Sequence, residues 1–227
     1  MFVSKYSKFL TIILVLLIVG ILGTLGYFAY DVFVIKAKNN SAKDVVEEFS
    51  KNVKREIDNS NYEEENVELD KSILDSNNSV NSEKNSQKNA DKVYMEGYEV
   101  MGTIKIPKIG IEYPVLSEVT KKSLETSVAI LYGVGLNEPG NTTIVGHNYR
   151  NGLFFSNNQK LKKGDTIDIT DQSGQTITYI IYDIYMTTPN DAEYMERDTE
   201  GAREISLSTC NDDSSKRLII LAKEKSE

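Results

Sequence analysis

The chain offers very little thiol and imidazole chemistry, since its 227 residues include one cysteine, Cys210, and one histidine, His147. A single cysteine cannot form an internal disulfide, so the fold must be held together by its own core. No CxxC pair is present, and one histidine cannot complete a zinc site without several carboxylates, so we expect no structural metal. The thiol is therefore free, and it is either a small core group or a reactive one.

Positive charge is also scarce, with 26 Lys and Arg against 34 Asp and Glu and a net charge of −8. Nucleic-acid binding requires a basic footprint, so we expect no nucleic-acid partner. The length and the 40% hydrophobic content suit one folded domain with appendages rather than two large domains. No internal repeat is visible.

One long apolar run stands near the N-terminus, "FLTIILVLLIVGILGTLGYFA", residues 9–29. It carries no charge over about 20 residues, the length that a helix needs to cross a bilayer core. The run is longer than that of a secretory signal peptide and has no small-x-small cleavage site after it. We interpret residues 1–8 as a cytoplasmic N-terminus, residues 9–30 as a retained single-pass anchor, and the rest as extracellular.

An acidic spacer, residues 31–92, follows the anchor. Within it, residues 41–58 predict a short amphipathic juxtamembrane helix, because apolar side chains recur there at helical spacing: Val45, Val46, Phe49, Val53 and Ile57. From residue 59 to residue 92 the sequence is rich in Asn, Ser, Glu and Lys and too poor in apolar residues to fold, which predicts a flexible tether. Residues 93–227 form the predicted folded domain.

Short alternating segments dominate the folded domain. "MGTIKIPKIGIEYPVL" predicts two strands joined at a turn from Pro107 to Gly110. Further strands are predicted at 128–133, 142–147, 165–170, 175–186, 203–210 and 216–223, with short helices at 120–126 and 152–161. Eight short strands in one domain indicate a mostly β fold, a closed or nearly closed eight-stranded barrel.

The two scarce residues both stand at predicted strand ends, His147 after "TTIVG" and Cys210 after "EISLST". Cysteine and histidine together can provide a nucleophile and its proton partner, although either residue alone is more often structural. Arg217 lies seven residues after Cys210, across a predicted hairpin. It either faces the thiol as an oxyanion-stabilising group or pairs with Asp212 or Asp213 at the surface.

The ordered motifs "GNTTIVGHN", "LKKGDTI" and "SLSTC", with an arginine leading the next strand, closely resemble the sortases, membrane-anchored cysteine transpeptidases of Gram-positive bacteria. The resemblance covers residues 97–224. It implies a sortase β-barrel with His147, Cys210 and Arg217 as catalytic residues and Thr209 as a residue that positions the peptide. Since the chain has one histidine and one cysteine, only the arginine has rivals, Arg203 and Arg150.

The resemblance also implies the reaction and the partners. A sortase cleaves a Leu-Pro-x-Thr-Gly-type (LPxTG) sorting signal between Thr and Gly through a thioacyl enzyme, and it transfers the surface protein to a peptidoglycan precursor amine. This chain is most similar to classes A and D. Two alternatives remain open: an extracellular cell-wall cysteine hydrolase, and a non-catalytic barrel that only binds surface proteins.

No cofactor is expected, with calcium as the alternative that some class A sortases suggest. One loop is rich in carboxylates, whereas the second loop that such a site needs offers chiefly Glu138. A solvated acidic loop is the simpler interpretation of the carboxylates in question, which are Asp191, Glu193, Glu196, Asp198 and Glu200.

Overall fold

The computed structural model describes the backbone of residues 5–67 and 92–226, and side chains within residues 8–58 and 92–226. The chain divides into two compact units, with the boundary in sequence between Ser41 and Ala42. One long helix, α1 (Lys5–Val67), contributes residues to both units. It continues through residues 59–67 of the predicted tether, and the rest of that tether, residues 68–91, lies outside the described residues.

In the first unit, α1 is long and apolar enough to cross a membrane, and its side chains over the apolar run are exposed rather than packed into a core. A helix that is apolar on all faces needs an apolar surrounding. The hydroxyl of Thr24 donates to the carbonyl of Ile21 at 2.8 Å, so this polar group is satisfied within the helix. These features agree with the predicted anchor.

In the described residues of the second unit, the part of α1 from Ala42 is followed by nine strands and one further α-helix. They are β1 (Tyr94–Met95), β2 (Tyr98–Ile106), β3 (Ile111–Leu116), α2 (Lys121–Thr126), β4 (Val128–Gly133), β5 (Gly140–Val145), β6 (Thr166–Asp171), β7 (Thr176–Thr187), β8 (Arg203–Cys210) and β9 (Arg217–Glu224). Hydrogen bonds join them in the order β1-β2-β3-β4-β5-β8-β9-β7-β6, and β6 pairs again with β2. This last pairing closes β2 to β9 into an eight-stranded barrel, which confirms the predicted mostly β fold.

Side-chain alternation separates the barrel interior from its outer surface. Along β8, Ile205 and Leu207 are fully buried, and they pair in register with Ala222 and Ile220 of β9, which are also fully buried. Since successive side chains of a strand point to opposite faces, the residues between them lie on the outer face. The interior is thus filled by aliphatic side chains, and the outer face of β8 is free to carry polar ones.

The predicted turn after β2 and the first predicted helix are both confirmed. A 3₁₀ turn at Pro107–Ile109 ends at Gly110, whose φ of 65° is left-handed and favours glycine. Helix α2 begins after Thr120, whose side chain accepts from the backbone N–H of Ser123.

The predicted helix at 152–161 is wrong. The segment contains turns and a single 3₁₀ turn, Asn158–Lys160. Three consecutive residues, Leu153, Phe154 and Phe155, are all fully buried or nearly so, and Phe154 has a φ of 52°. A helix could not bury three successive side chains against one surface. Burial of this apolar triplet therefore outweighs local helix propensity.

The part of α1 in the second unit packs on the barrel. Phe49 and Val53, which belong to the predicted amphipathic face, are 4% and 9% exposed. They line a cavity together with Val93 and Val100 at the start of the barrel. The turn between β6 and β7 approaches so closely that a Cβ placed on Gly174 would lie 2.3 Å from Val53 Cγ1. The helix thus contributes apolar contacts that a domain beginning at residue 93 lacks.

We expect residues 93–227 to fold alone, because the barrel closes without α1, but with a lower melting temperature than residues 42–227. Each of the two side chains, Phe49 and Val53, contributes about 1.5–3 kcal/mol when fully buried. Thermal unfolding followed by circular dichroism compares the two fragments directly. Equal melting temperatures would contradict the packing of α1.

Gly174→Ala provides the matched control. Its φ of 84° makes alanine unfavourable in both fragments, but only the longer fragment contains the Val53 methyl group that the new Cβ would meet. The substitution should therefore lower the melting temperature more in residues 42–227 than in residues 93–227.

Candidate active site

Parallel pairing of β5 with β8 brings the histidine and the cysteine to the same end of the barrel. The last paired residues are Val145 and Ser208, and the N–H of Gly146 donates to the carbonyl of Ser208 at 3.3 Å. In a parallel ladder the next positions advance together, so His147 and Cys210 occupy the same level, two residues beyond that pair. The two predicted site residues therefore emerge from neighbouring strands at one edge.

Arg217 is the residue directly opposite Cys210 in the antiparallel pairing of β8 with β9. Its Nη1 donates a hydrogen bond to Cys210 Sγ at 2.9 Å. The two carboxylates considered as its partners have other donors, Asn148 for Asp212 and a backbone N–H of the same turn for Asp213. Within the described residues no ion pair joins Arg217 to a carboxylate. The arginine thus faces the thiol.

The two rival arginines lie elsewhere. Arg203 is the first residue of β8, at the opposite end of the strand from Cys210. It donates to the carbonyl of Asn137 at 2.7 Å and pairs with Glu224 at 3.2 Å. Arg150 is exposed and has a φ of 59° in the turn after the histidine. Of the three arginines, Arg217 is the one in contact with the sulfur.

Asn148 is a site residue that the sequence analysis missed. Its Nδ2 donates to the carbonyl of Cys210 at 3.1 Å and to Asp212 Oδ1 at 3.0 Å, while its Oδ1 accepts from the N–H of Arg150 at 3.0 Å. The side chain therefore ties the loop after His147 to the end of β8. Its position directly after the histidine in "GHN" was the available signal.

Aromatic packing surrounds the histidine. The ring centroids of His147 and Tyr149 are 5.0 Å apart with the planes tilted by 43°, and Tyr149 packs in turn against Phe154 at 5.9 Å. The carbonyl of His147 accepts from the N–H of Phe155 at 3.1 Å. Partial burial raises the pKa of Tyr149, so this phenol remains protonated near neutral pH. The buried residues Phe154 and Phe155 thus help to hold His147 in place, Phe154 by packing against Tyr149 and Phe155 through its N–H.

Thr209 precedes the cysteine and is only 2% exposed. Its hydroxyl donates to the carbonyl of Gly146 at 2.8 Å. This hydrogen bond joins the residue before Cys210 to the residue before His147. A direct side-chain contact between Thr209 and a peptide would require this buried hydroxyl to leave its partner.

A groove of about 290 Å³ opens beside the thiol. Cys210 is partly exposed and lines it, together with Met186 and the carboxylates Asp212 and Asp213. Hydrogen bonds from Ser215 lower the pKa of Asp213, so this carboxylate is ionised at neutral pH. The groove therefore combines an apolar wall with an acidic rim.

The acidic loop proposed for calcium lies between β7 and β8. The Thr187 hydroxyl and the N–H of Glu193 donate to Asp191, which lowers the pKa of its carboxyl group. Asp198 accepts from the N–H of Glu200 at 2.8 Å. Across residues 8–58 and 92–226, no three His, Cys, Asp or Glu side chains gather in a way that could hold a metal ion.

Thr209→Val should lower the free energy of unfolding by about 1–3 kcal/mol, because an isosteric methyl group leaves the buried carbonyl of Gly146 without its donor. Chemical denaturation of the purified domain measures this loss. Thr209→Ser keeps the hydroxyl and should lose less. An unchanged stability for the valine variant would show that this hydrogen bond does not hold the two strand ends together.

A family profile and a curated protein match the sequence of this chain. The family profile described as Sortase domain matches residues 104–225, more than half of the chain. Sortase A of Bacillus anthracis is 34% identical over 125 residues, a match that covers 54% of this chain and 58% of that protein. The chain thus matches less than two thirds of the length of this curated relative.

Solved structures give the same result. A lid mutant of sortase A from Corynebacterium diphtheriae is similar with a TM-score of 0.52 and 28% identity, covering 56% of this chain and 71% of that one. A Clostridium perfringens sortase D5 transpeptidase is similar with a TM-score of 0.51 and 29% identity, covering 56% and 79%. With the profile match over residues 104–225, these likenesses show that the chain belongs to the sortase family.

Proposed function

We propose that this protein is a transpeptidase that cleaves surface proteins at an LPxTG-type sorting signal, between Thr and Gly, and joins them to an amine of a peptidoglycan precursor. The observation that carries the proposal is the 2.9 Å contact of Arg217 Nη1 with Cys210 Sγ, at the edge where His147 follows the end of the neighbouring parallel strand β5. Family membership supports the reaction class, and these three side chains supply its chemistry.

Cys210 acts as the nucleophile. The thiol proton passes to His147 and the sulfur bonds to the carbonyl carbon of the Thr residue; the carbon–nitrogen bond to Gly then breaks as His147 donates that proton to the departing amine. An incoming amine then bonds to the same carbon, His147 accepts its proton, and the carbon–sulfur bond breaks. His147 returns this proton to the sulfur, which regenerates the thiol, so the amine is the one co-reactant that the cycle needs.

Arg217 stabilises the oxyanion and orients the peptide. The carbon under attack is bonded to the sulfur, so a guanidinium that already reaches Cys210 Sγ is close to where the oxyanion forms. A guanidinium keeps its charge and presents donors in a fixed plane, which suits this role. Thr209 supports the same site by holding the ends of β5 and β8 together rather than by exposing its hydroxyl.

The apolar helix of the first unit supports the proposed compartment. The apolar part of α1 anchors the chain in the cell membrane as a single span, with the catalytic unit outside the cell. There it meets surface proteins with C-terminal sorting signals and precursors of the cell wall. Sequence likeness extends to sortase A enzymes, to a sortase D5 and, at similar identity, to sortase C enzymes, so the proposed A or D class rests on the sequence motifs alone.

The two alternative functions fit the geometry less well. A scaffold barrel would bury its cysteine, whereas Cys210 is partly exposed and lines a groove. Common cysteine hydrolases of the cell wall carry the nucleophile at a helix start, whereas Cys210 ends strand β8. Water and an amine compete for the same thioacyl group, so the acceptor distinguishes a hydrolase from a transpeptidase.

Incubation of the wild-type enzyme with an LPxTG-type peptide should produce a covalent adduct on Cys210 with the mass of the acyl fragment. Adding an amine acceptor should convert the adduct to a transfer product, as measured by mass spectrometry. Cys210→Ala should form neither product while keeping the barrel folded. Cleavage by this variant would remove the assignment of the nucleophile.

Arg217→Lys should lower kcat/KM for peptide cleavage by about 10²–10³ fold, because an ammonium lacks the planar set of donors. An arginine in a surface ion pair would contribute only about 0–1 kcal/mol and would tolerate lysine. Arg203→Lys is the matched control and should leave kcat/KM nearly unchanged. Loss in the control with normal activity in Arg217→Lys would transfer the role to Arg203.

A further inference from the structure

The side chain of Asn148 lies between the loop that follows His147 and the turn that joins β8 to β9. Its Nδ2 donates to the carbonyl oxygen of Cys210 at 3.1 Å and to Asp212 Oδ1 at 3.0 Å. Its Oδ1 accepts from the N–H of Arg150 at 3.0 Å. Both N–H groups and the oxygen of the amide are therefore engaged, which fixes the plane of this side chain.

These bonds continue the link between β5 and β8 past the end of the strand ladder. The ladder ends where the N–H of Gly146 donates to the carbonyl of Ser208 at 3.3 Å. Beyond that point the Thr209 hydroxyl donates to the carbonyl of Gly146, and the Asn148 amide donates to the carbonyl of Cys210. Side-chain donors thus connect β8 to the residue before the histidine and to the residue after it.

The loop after the histidine also folds back on itself. The carbonyl of His147 accepts from the N–H of Phe155 at 3.1 Å, and Asn148 forms an isolated antiparallel bridge with Phe154. Asn148 is therefore the point at which this loop is joined to the end of β8. Without its amide, the loop can keep its internal contacts and still shift relative to the cysteine.

The partners of Asn148 require an amide at this position. The carbonyl of Cys210 and the carboxylate of Asp212 accept hydrogen bonds, whereas the N–H of Arg150 donates one. An aspartate would keep an acceptor for Arg150, but it would present an oxygen to the other two groups. It would also bring two carboxylates into contact, which is unfavourable for like charges.

We propose that Asn148, held by Asp212, is a positioning residue that sets the place of the His147 imidazole relative to Cys210 Sγ. This rests on the proposed function, in which His147 transfers protons to and from the reacting groups. Proton transfer requires heavy atoms within about 2.6–3.2 Å of each other, and a misplacement of about 1 Å can cost about 10² fold in rate. Asn148 therefore acts on kcat through the histidine.

The kinetic test uses the full chain in detergent micelles. Asn148→Ala should lower kcat for cleavage of an LPxTG-type peptide by about 10² fold, with KM within about threefold of wild type. Asn148→Asp should lose at least as much. Asn151→Ala is the matched control, because the Oδ1 of this asparagine accepts from the N–H of Leu153 at 3.1 Å, a bond within the same loop. The control should keep kcat near the wild-type value.

A double-mutant cycle tests the part played by the carboxylate. Asp212→Ala should lower kcat less than Asn148→Ala does, because the bond from Asn148 to the carbonyl of Cys210 remains. The variant that carries both substitutions should resemble Asn148→Ala alone, since Asp212 acts through the amide. Losses that multiply in the double variant would overturn the role of Asp212.

A second readout needs no substrate. His147 is the only histidine of the chain, so the Cε1–H of its imidazole gives a unique NMR signal in protein with isotope-labelled histidine. This signal should broaden or split in Asn148→Ala, because the ring samples more than one position, and it should stay single and sharp in Asn151→Ala.

Unchanged kcat in Asn148→Ala would overturn the proposal. A raised KM with wild-type kcat would also overturn it, because Asn148 would then bind the peptide directly. Equal losses in Asn148→Ala and Asn151→Ala would indicate general loosening of the loop and have the same consequence.

If Asn148→Ala does not fold, Asn148→Ser replaces it with the same expected split between kcat and KM. A wild-type chain that cleaves no LPxTG-type peptide overturns the proposed function. The NMR signal of His147 in the variants then still supports or overturns the positioning role of Asn148.

Discussion

The parallel pairing of β5 with β8 is the constraint on which the site depends. Its register, which ends with Val145 opposite Ser208, places His147 and Cys210 at one level although 63 positions separate them in the printed sequence. Parallel strands require a long crossover connection, and here the crossover contains β6, β7 and the segment between β7 and β8, residues 188–202. The chain that makes the pairing possible therefore also supplies Met186 of β7 to the groove beside the thiol.

The hairpin between β8 and β9 fixes the third side chain. Its turn is closed by Asn211, whose N–H donates to the carbonyl of Lys216 and whose side chain accepts from the N–H of Lys216. Because side chains alternate between faces, a slip of one residue would turn Arg217 away from Cys210 and into the barrel mouth. The polar turn "NDDSSK" is thus part of what sets the catalytic geometry, even though its carboxylates do not bind the arginine.

The strands and the candidate site residues Cys210 and His147 could be predicted from the sequence because they depend on local patterns and on composition. Alternation bounded by Gly and Pro locates strands, and a chain with one cysteine leaves no choice of thiol. The helix at 152–161 was wrong because tertiary burial of Phe154 and its neighbours overrode propensity. Asn148 and Arg197 were missed because both bond to partners more than 50 positions away in the sequence. Asn148 bonds to the carbonyl of Cys210, and Arg197 bonds to side chains on three strands. No local sequence pattern encodes such contacts.

The outer face of β8 explains why the distant contacts exist at all. The strand buries Ser206 and Ser208 on the face opposite its aliphatic interior, and buried hydroxyls require partners. The Ser206 hydroxyl donates to Asn141 Oδ1 and accepts from Arg197 Nη2, and the Ser208 hydroxyl accepts from the hydroxyl of Tyr194. An apolar outer face could also pack against the segment between β7 and β8, but it would not fix that segment in one position. Because these hydroxyl groups bond only to particular partners, the same strand that ends in the thiol also fixes the position of the segment between β7 and β8.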